Sequence, residues 1–550
     1  MSEDKTEDLG KPISSCHDEN ANTSQGTFRT IEIDYNDNGA FGTSHSPFVF
    51  AAALLASFGG FSFGYDQGVI SLILVMPQFV DQFPETGSHS PHHGFHVGLM
   101  TGMLELGAFI GCLFFPYIAD RISRKGAISV ATGFFCVGAV IQTVAINYNT
   151  LVAGRFICGM GMGALAMGAP LYISEIAPPN LRGSLLVLEA ISIVIGATIA
   201  YWITYGTRYI DSSWSFRGPF LIQIFPALVV GGGIHFFPFS PRWLAMVGRD
   251  KEGLHSLATL RRRGTSDETV QLEWKGILTE VRFQNELLAL QYSDPRSFVS
   301  ELKQWADLFR PRYFKRTLVA IGIPFFQQFS GINAFVYYAP TFFASLGQSY
   351  NNSLILSGLI NVCQFVAGIP TFLFLDHVGR RKLAIFGAIA MGIPHFIMAG
   401  IYSAFSTDWP AHKVGGWVGV ALIYVYVLCY ACSYGPLAWT LPAEIFPSSR
   451  RSKGVGIATA TIWLSNFIIG VVVPQMLISL GWGTFLFFGF FCLTAAVFSF
   501  LFVPETSRKS LEEIAATFGD NLEDNEAEIR RRVEREVWAE AQLGNEDTSV

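Results

Sequence analysis

The sequence predicts an all-α membrane protein: twelve transmembrane helices in two six-helix bundles, joined by a cytoplasmic helical linker. Three observations predict it. Charged residues make up 15% of the 550, where a soluble chain carries about a quarter, and they crowd into residues 1–45, 242–316 and 505–550. The stretches between them stay apolar over bilayer-spanning lengths, which take about 20 residues, and the mean hydropathy is positive. Two loop motifs also recur, in the same order, in the two halves.

Twelve runs reach spanning length: 47–72, 95–118, 126–146, 150–173, 184–206, 218–238, 316–345, 353–375, 383–404, 415–440, 455–478 and 482–503. None alternates residue by residue, as the strands of a membrane β-barrel would. Residues 1–45 are polar and acidic without an apolar leader, so no cleaved signal peptide is expected and the first span acts as the targeting signal. Lys and Arg in short loops mark the cytoplasmic side. Loops after even-numbered runs hold Arg121, Arg124, Lys125, Arg182, Arg380, Arg381, Lys382, Arg450, Arg451 and Lys453; those after odd-numbered runs hold only Arg208, Arg217 and Lys413. Both termini are therefore expected in the cytoplasm of a plasma-membrane protein. The Asn351-Asn352-Ser353 glycosylation sequon then falls outside.

The long loop after the sixth run carries Arg261-Arg262-Arg263 and helix-like patterning over Glu273–Leu290. The expected organisation is a disordered cytoplasmic tail at 1–45, one bundle at 46–238, linker helices at 239–315, the second bundle at 316–503 and a cytoplasmic tail at 504–550. Within that last tail, 521–543 reads as a charged helix or a disordered segment. A monomer in the bilayer is expected.

The repeated motifs join acids to bases. Asp120-Arg121-Ile122-Ser123-Arg124-Lys125 follows the second run, and Asp376-His377-Val378-Gly379-Arg380-Arg381-Lys382 follows the eighth. Glu175-Ile176-Ala177-Pro178 with Arg182 follows the fourth, and Glu444-Ile445-Phe446-Pro447 with Arg451 follows the tenth. Topology signalling explains the basic residues but not the acids. Charge-assisted pairs among Asp120, Arg121, Arg124, Glu175, Arg182, Asp376, Arg380, Arg381, Glu444 and Arg451 are expected to latch the bundles together in one state and release them in another. Paired halves of this kind are a common architecture of secondary transporters.

Other function classes find no support. The net charge of −6 is spread over tails and loops, and no basic run suggests nucleic acid. Cys112, Cys136, Cys158, Cys363, Cys429, Cys432 and Cys492 lie in apolar runs, where thiolates are disfavoured, so they read as small packing residues. His89, His92, His93 and His96 sit in a short polar loop with no nearby Cys and are not read as a metal site. There is no nucleotide-binding loop and no nucleophile–base constellation. Neither an enzyme nor an ATP-driven pump is expected, and no cofactor or metal.

A further set of motifs runs through the spans in order: Gly64-Tyr65-Asp66-Gln67-Gly68-Val69-Ile70, Gly154-Arg155, Pro170-Leu171-Tyr172-Ile173-Ser174-Glu175, Ser240-Pro241-Arg242-Trp243-Leu244, Gln327-Gln328-Phe329-Ser330-Gly331-Ile332-Asn333 with Tyr337-Tyr338-Ala339-Pro340, Gly435-Pro436-Leu437-Ala438-Trp439 and Pro504-Glu505-Thr506. Over about 45–515 the chain resembles the sugar porter family of the major facilitator superfamily, and its polar tails and Phe239-Ser240-Pro241-Arg242 resemble the fungal hexose and monosaccharide transporters. The resemblance implies the major facilitator fold and carries sugar contact onto Gln327, Gln328, Asn333, Asn361 and Trp439, with Tyr337 and Tyr338 gating the outer end. Departures are Ser123 for the usual Gly, Pro116 for a Gly, His377 for an Arg and Phe239 for a Glu. The family's helix-five Gln falls on Ala190, with Glu189 beside it.

The residues suit that implication chemically. A sugar needs neutral donors and acceptors and a ring to cover one face. Three amides within seven residues of an apolar helix exceed what interhelical glue requires, since amides in hydrocarbon are costly unless partnered. Asp66 and Arg155 are ionisable groups inside spans, which are rare and usually functional, and the family pattern places them together. Burial favours the neutral acid, whereas a neighbouring guanidinium favours the carboxylate. Such a pair can bind a proton on one side and release it on the other. The expected function is import of a hexose or pentose by proton symport with alternating access. A facilitator, a carrier of a related polyol, quinate or disaccharide, and a non-transporting sugar sensor remain alternatives.

Overall fold

The computed structural model describes residues 47–178, 181–292, 294, 297–447, 450–507, 514, 518 and 523–546. The tail expected over 1–45 lies outside the described residues. All regular structure among the described residues is helical. Twelve helices are long and apolar enough to cross a membrane: Phe48–Ile73, His93–Ile122, Arg124–Val144, Tyr148–Ile176, Leu188–Thr207, Trp214–Phe236, Pro311–Ser345, Tyr350–Thr371, Arg380–Phe405, Lys413–Ile445, Arg451–Ser479 and Trp482–Phe502. Each falls on one predicted run, and the chain is a multi-pass membrane protein.

Some of the spans start with ordinary capping chemistry. Asn147 accepts from the Thr150 amide ahead of the fourth span (2.9 Å), Ser349 from the Asn352 amide ahead of the eighth (3.4 Å), and Pro311 opens the seventh. The turns between spans two and three and between eight and nine share one unusual conformation, with φ of 92° at Ser123 and 90° at Gly379. The internal repeat thus extends to backbone torsions.

Close packing fixes the first half. A Cβ on Gly64 would stand 1.7 Å from the Ile193 carbonyl oxygen, so the first and fifth spans touch backbone to backbone there, the kind of contact that small residues permit in hydrocarbon. Between the halves the second span lies along the eleventh, the fifth along the eighth and the first against the seventh. The seventh span is broken: Pro311–Phe329 stops, Gly331 takes φ of 101°, and the helix resumes over Ile332–Ser345 with a second kink at Tyr338. Only glycine reaches that φ without strain, and a Cβ there would also meet the Phe488 ring at 2.9 Å.

Four linker helices follow the sixth span: Pro241–Met246, Asp250–Arg261, Glu268–Gln291 and Phe298–Asp307. They are tied to both halves. Arg261 is buried, paired with Glu273 (2.6 Å), and donates to the Ile176 carbonyl (2.8 Å) at the end of the fourth span. On the other side Arg450 meets Asp307 (3.4 Å) and Lys453 bonds Glu301. The charged C-terminal stretch forms a helix, Glu523–Glu546. Its Ile529, Val533 and Val537 are buried against Phe283 and Leu287 of the linker, flanked by Arg282–Glu540 (2.8 Å) and Arg532–Glu286 ion pairs.

Candidate functional site: a cavity between the two halves

A cavity of about 2800 Å³ runs between the halves as far as the linker helices. A ligand pocket is usually about 300–1,000 Å³, so this is a vestibule open toward the linker rather than an enclosed site. The opposite end is sealed by hydrogen bonds across the halves. Tyr201 donates to the Leu354 carbonyl (2.6 Å), Tyr350 to the Val75 carbonyl (3.1 Å), and Arg208 to Asn351 Oδ1 (3.2 Å). Tyr337 donates to Glu105 Oε1 at 2.5 Å.

Gln327, Gln328, Asn333, Asn361 and Trp439 all line this cavity. Three of them form a relay. Asn333 Nδ2 donates to Gln328 Oε1 (2.6 Å), Gln328 Nε2 donates to Gln327 Oε1 (3.1 Å), and Gln327 Nε2 donates to the carbonyls of Tyr434 (3.1 Å) and Gly435 (3.4 Å). The break of the seventh span lets neighbouring amides face one another, and the tenth-span carbonyls anchor the far end. Each amide is oriented before a solute arrives. Trp439 is 39% exposed and lines the cavity. Beneath the break, buried His395 donates from Nε2 to the Ser330 carbonyl (2.9 Å), and the Ser330 and Tyr426 hydroxyls are 3.0 Å apart.

Tyr337 and Tyr338 part company. Tyr337 belongs to the seal, whereas Tyr338 donates to the Gly470 carbonyl (2.6 Å) inside its own half. Asp66 and Arg155 meet as predicted, with Nη2 to Oδ2 at 3.3 Å and both side chains almost wholly buried. Arg155 also donates to the Met100 carbonyl (2.9 Å). Glu189, nearly buried, lies on the cavity wall.

A model of the family described as "Sugar (and other) transporter" matches residues 52–518. The chain belongs to this family. It is 29% identical over 490 residues to a "High-affinity glucose transporter" of Kluyveromyces lactis, covering 86% of each chain. It is 32% identical over 479 residues to "Sugar transporter STL1" of Saccharomyces cerevisiae, covering 86% of this chain and 81% of the relative. Among solved structures, the partially occluded inward-open xylose transporter XylE from E. coli superimposes with a TM-score of 0.69 at 25% identity, over 84% of this chain and 100% of that one. The proton:xylose symporter XylE bound to 6-bromo-6-deoxy-D-glucose gives 0.68 at 27% identity, over 86% and 100%. These relatives and structural neighbours are sugar transporters, and the fold is theirs.

In this structure, open at the linker end, the charged loops pair within each half. Arg124 pairs with Glu175 (2.9 Å) and Asp120 (2.9 Å), all in the first half; Arg380 pairs with Glu444 (2.8 Å), both in the second. The pairs described are therefore within halves, because the cavity reaches this end and holds the halves apart. Arg121 lies over the Tyr117 ring (4.5 Å), Arg381 donates to the Phe500 carbonyl (2.7 Å), and Arg451 lines the cavity. The side chains of Arg182 and Asp376 lie outside the described residues. Glu505 accepts from the Arg380 amide (2.8 Å) and the Arg381 amide (3.3 Å), a carboxylate at the positive end of the ninth span. The Pro504-Glu505-Thr506 motif is thus a cap. Sequence reasoning passed over Glu105, Asn466 and His395, although an acid in the run 95–118 is itself a signal.

Proposed function

We propose that this chain imports a monosaccharide, a hexose or a pentose, by proton symport with alternating access. The observation that carries this is the amide relay Asn333–Gln328–Gln327 on the wall of a cavity open at one end and sealed at the other. Oriented neutral donors and acceptors beside an exposed Trp suit ringed hydroxyls. The printed functions of the relatives, glucose transporters and a proton:xylose symporter, support the same substrate class. The coupling device is Asp66 with Arg155. We place 46–238 and 316–503 as the two moving bundles, 239–315 as the linker, and 1–45 and 504–550 as tails. Both termini are cytoplasmic in the plasma membrane, Asn351 is the outer glycan acceptor, and the protein acts as a monomer. In the opposite state the charged loops Asp120–Lys125, Glu175–Arg182, Asp376–Lys382 and Glu444–Arg451 close the linker end as a latch.

The deciding experiment is sugar-induced alkalinisation of the medium by cells lacking their own hexose carriers. Asp66→Asn keeps shape and hydrogen bonding but exchanges no proton. It should lose proton uptake and uphill accumulation while retaining downhill exchange. Equal proton uptake in Asp66→Asn and the unaltered protein would remove Asp66 from the mechanism, and none in the unaltered protein would leave a facilitator. Glu189 favours a second reading, a polyol carrier, because a carboxyl group on the cavity wall presents two oxygens to neighbouring hydroxyls. A competition panel of polyols and hexoses against one labelled hexose separates the two.

A further inference from the structure

Glu105 is a second acid buried inside the membrane, on the second span, with no surface exposure. Among the described residues Arg155 is the cation set against it, and that cation already pairs with Asp66. One guanidinium balances one carboxylate. The other carboxyl stays uncharged only by holding a proton, and an uncompensated charge at this depth is costly.

The groups facing Glu105 come from four elements. Asp66 is on the first span, Arg155 on the fourth, Tyr337 and Tyr338 on the seventh, and the amide of Asn466 on the eleventh. Tyr337 dominates. Its hydroxyl donates to Glu105 Oε1 (2.5 Å) and accepts from Asn466 Nδ2 (3.0 Å) and Gln67 Nε2 (3.3 Å). The hydroxyl's one proton and two lone pairs are thereby all used. Two amide donors feeding one phenol polarise it and strengthen its bond to the acid. Glu105 Oε2 is buried without a partner.

Glu105 and Tyr337 come from opposite halves, so parting the halves at the seal would break this contact. Burial keeps a carboxyl neutral and a hydroxyl donated to it works against that, so the docking of Tyr337 loosens the proton that Glu105 otherwise keeps. An exit is at hand, since Gln67 and Asn466 both line the cavity that reaches the linker.

We propose that Glu105 carries the transported proton together with Asp66, and that Tyr337 releases it by docking on Glu105 when the outer seal closes. The proton comes from water on the sealed side while that side is open. It leaves to water in the cavity once Tyr337 has docked. The carboxyl passes from neutral to anionic, and no other bond changes. This rests on the proton-symport reading above.

The test uses the full chain in proteoliposomes, with glucose as the solute, a trapped pH dye and, in parallel, labelled-glucose counterflow. Glu105→Gln keeps the size of the side chain and a carbonyl for Tyr337 to bond, but carries no proton. It should lose glucose-driven proton movement and uphill accumulation, with a far smaller fall in counterflow, which needs no net proton transfer. Tyr337→Phe keeps the ring and removes the donor. It should slow net uptake more than counterflow and move the alkaline limb of the pH profile for net uptake. If Glu105→Gln moves protons as the unaltered protein does while Asp66→Asn does not, the role of Glu105 is overturned and symport stands. If the unaltered protein moves no protons, both fall. If Glu105→Gln elutes as aggregate, Tyr337→Phe decides: an unchanged pH profile overturns the proposal and a shifted one supports it.

Discussion

Ser123 and Gly379 occupy equivalent turns with nearly the same positive φ, yet only one of them is a glycine. A non-glycine in this region costs about 1–3 kcal/mol. Ser123 recovers part of that by accepting from the Gly126 amide (3.1 Å), but replacing such a cap by glycine costs only a few tenths of a kcal/mol. Ser123→Gly should therefore stabilise the protein by about 1 kcal/mol, read as slower heat inactivation in detergent; faster inactivation would refute the argument. Gly379→Ala should go the other way, because its Cβ would meet Glu505 Oε2 at 2.6 Å. In the cavity, Asn333→Ala removes the first donor of the relay, and losing one buried hydrogen bond costs roughly 1–3 kcal/mol. The half-saturation constant for the transported sugar should rise about tenfold at normal surface expression, and an unchanged constant would place the solute elsewhere. The sequence made these residues visible to different degrees. The amides were legible because amides are conspicuous in an apolar run. Their wiring was not, since Gln327 bonds carbonyls more than a hundred residues away. Glu105 was equally conspicuous, but its meaning depends on Tyr337 arriving from the other half.

Elements were read more securely than their couplings. Hydropathy placed all twelve spans because hydrocarbon forces backbone bonds to close within each helix. The linker and tail obey no such rule, so the sequence left 521–543 as helix or disordered segment, and packing decides. Ile529, Val533 and Val537 recur at helical spacing on one face of the tail helix and are buried on the linker helix. Val533→Asp should detach it. The lost apolar burial alone is worth roughly 1.5–3 kcal/mol, before the charge is counted. Hydrogen exchange should speed up in both Glu523–Glu546 and Glu268–Gln291, and protection unchanged in the linker would show that the docking is not what orders it. The basic loop after the tenth span illustrates the same limit. Arg450 and Lys453 read as topology signals, and the structure adds that they grip the linker acids Asp307 and Glu301.

At the scale of the molecule, one end of the cavity is closed by a small set of contacts between halves. Gly358 on the eighth span is part of it, because a Cβ there would lie 2.9 Å from the Tyr201 ring. Gly358→Trp should wedge that end apart. Labelled sugar should still bind from the side away from the linker while counterflow is lost, because the halves can no longer alternate. A counterflow rate close to that of the unaltered protein would mean that this contact does not close the path. The overall architecture was legible from periodicity and repeated loops. Which end stands open was not, because one sequence is compatible with more than one arrangement of the halves and a structure holds one.

Two carboxyls around a single guanidinium, Asp66 and Glu105 beside Arg155, have an electrical consequence. On the proton-symport reading proposed above, the buried group is neutral with the proton aboard and carries one negative charge without it. The membrane field therefore has no charge to act on during the loaded crossing and acts on the empty return. A negative-inside potential pushes that anionic site outward, by up to about 2.3 kcal/mol per 100 mV if the site crosses the whole field. Voltage then raises the rate at which the carrier resets, not the rate at which it delivers.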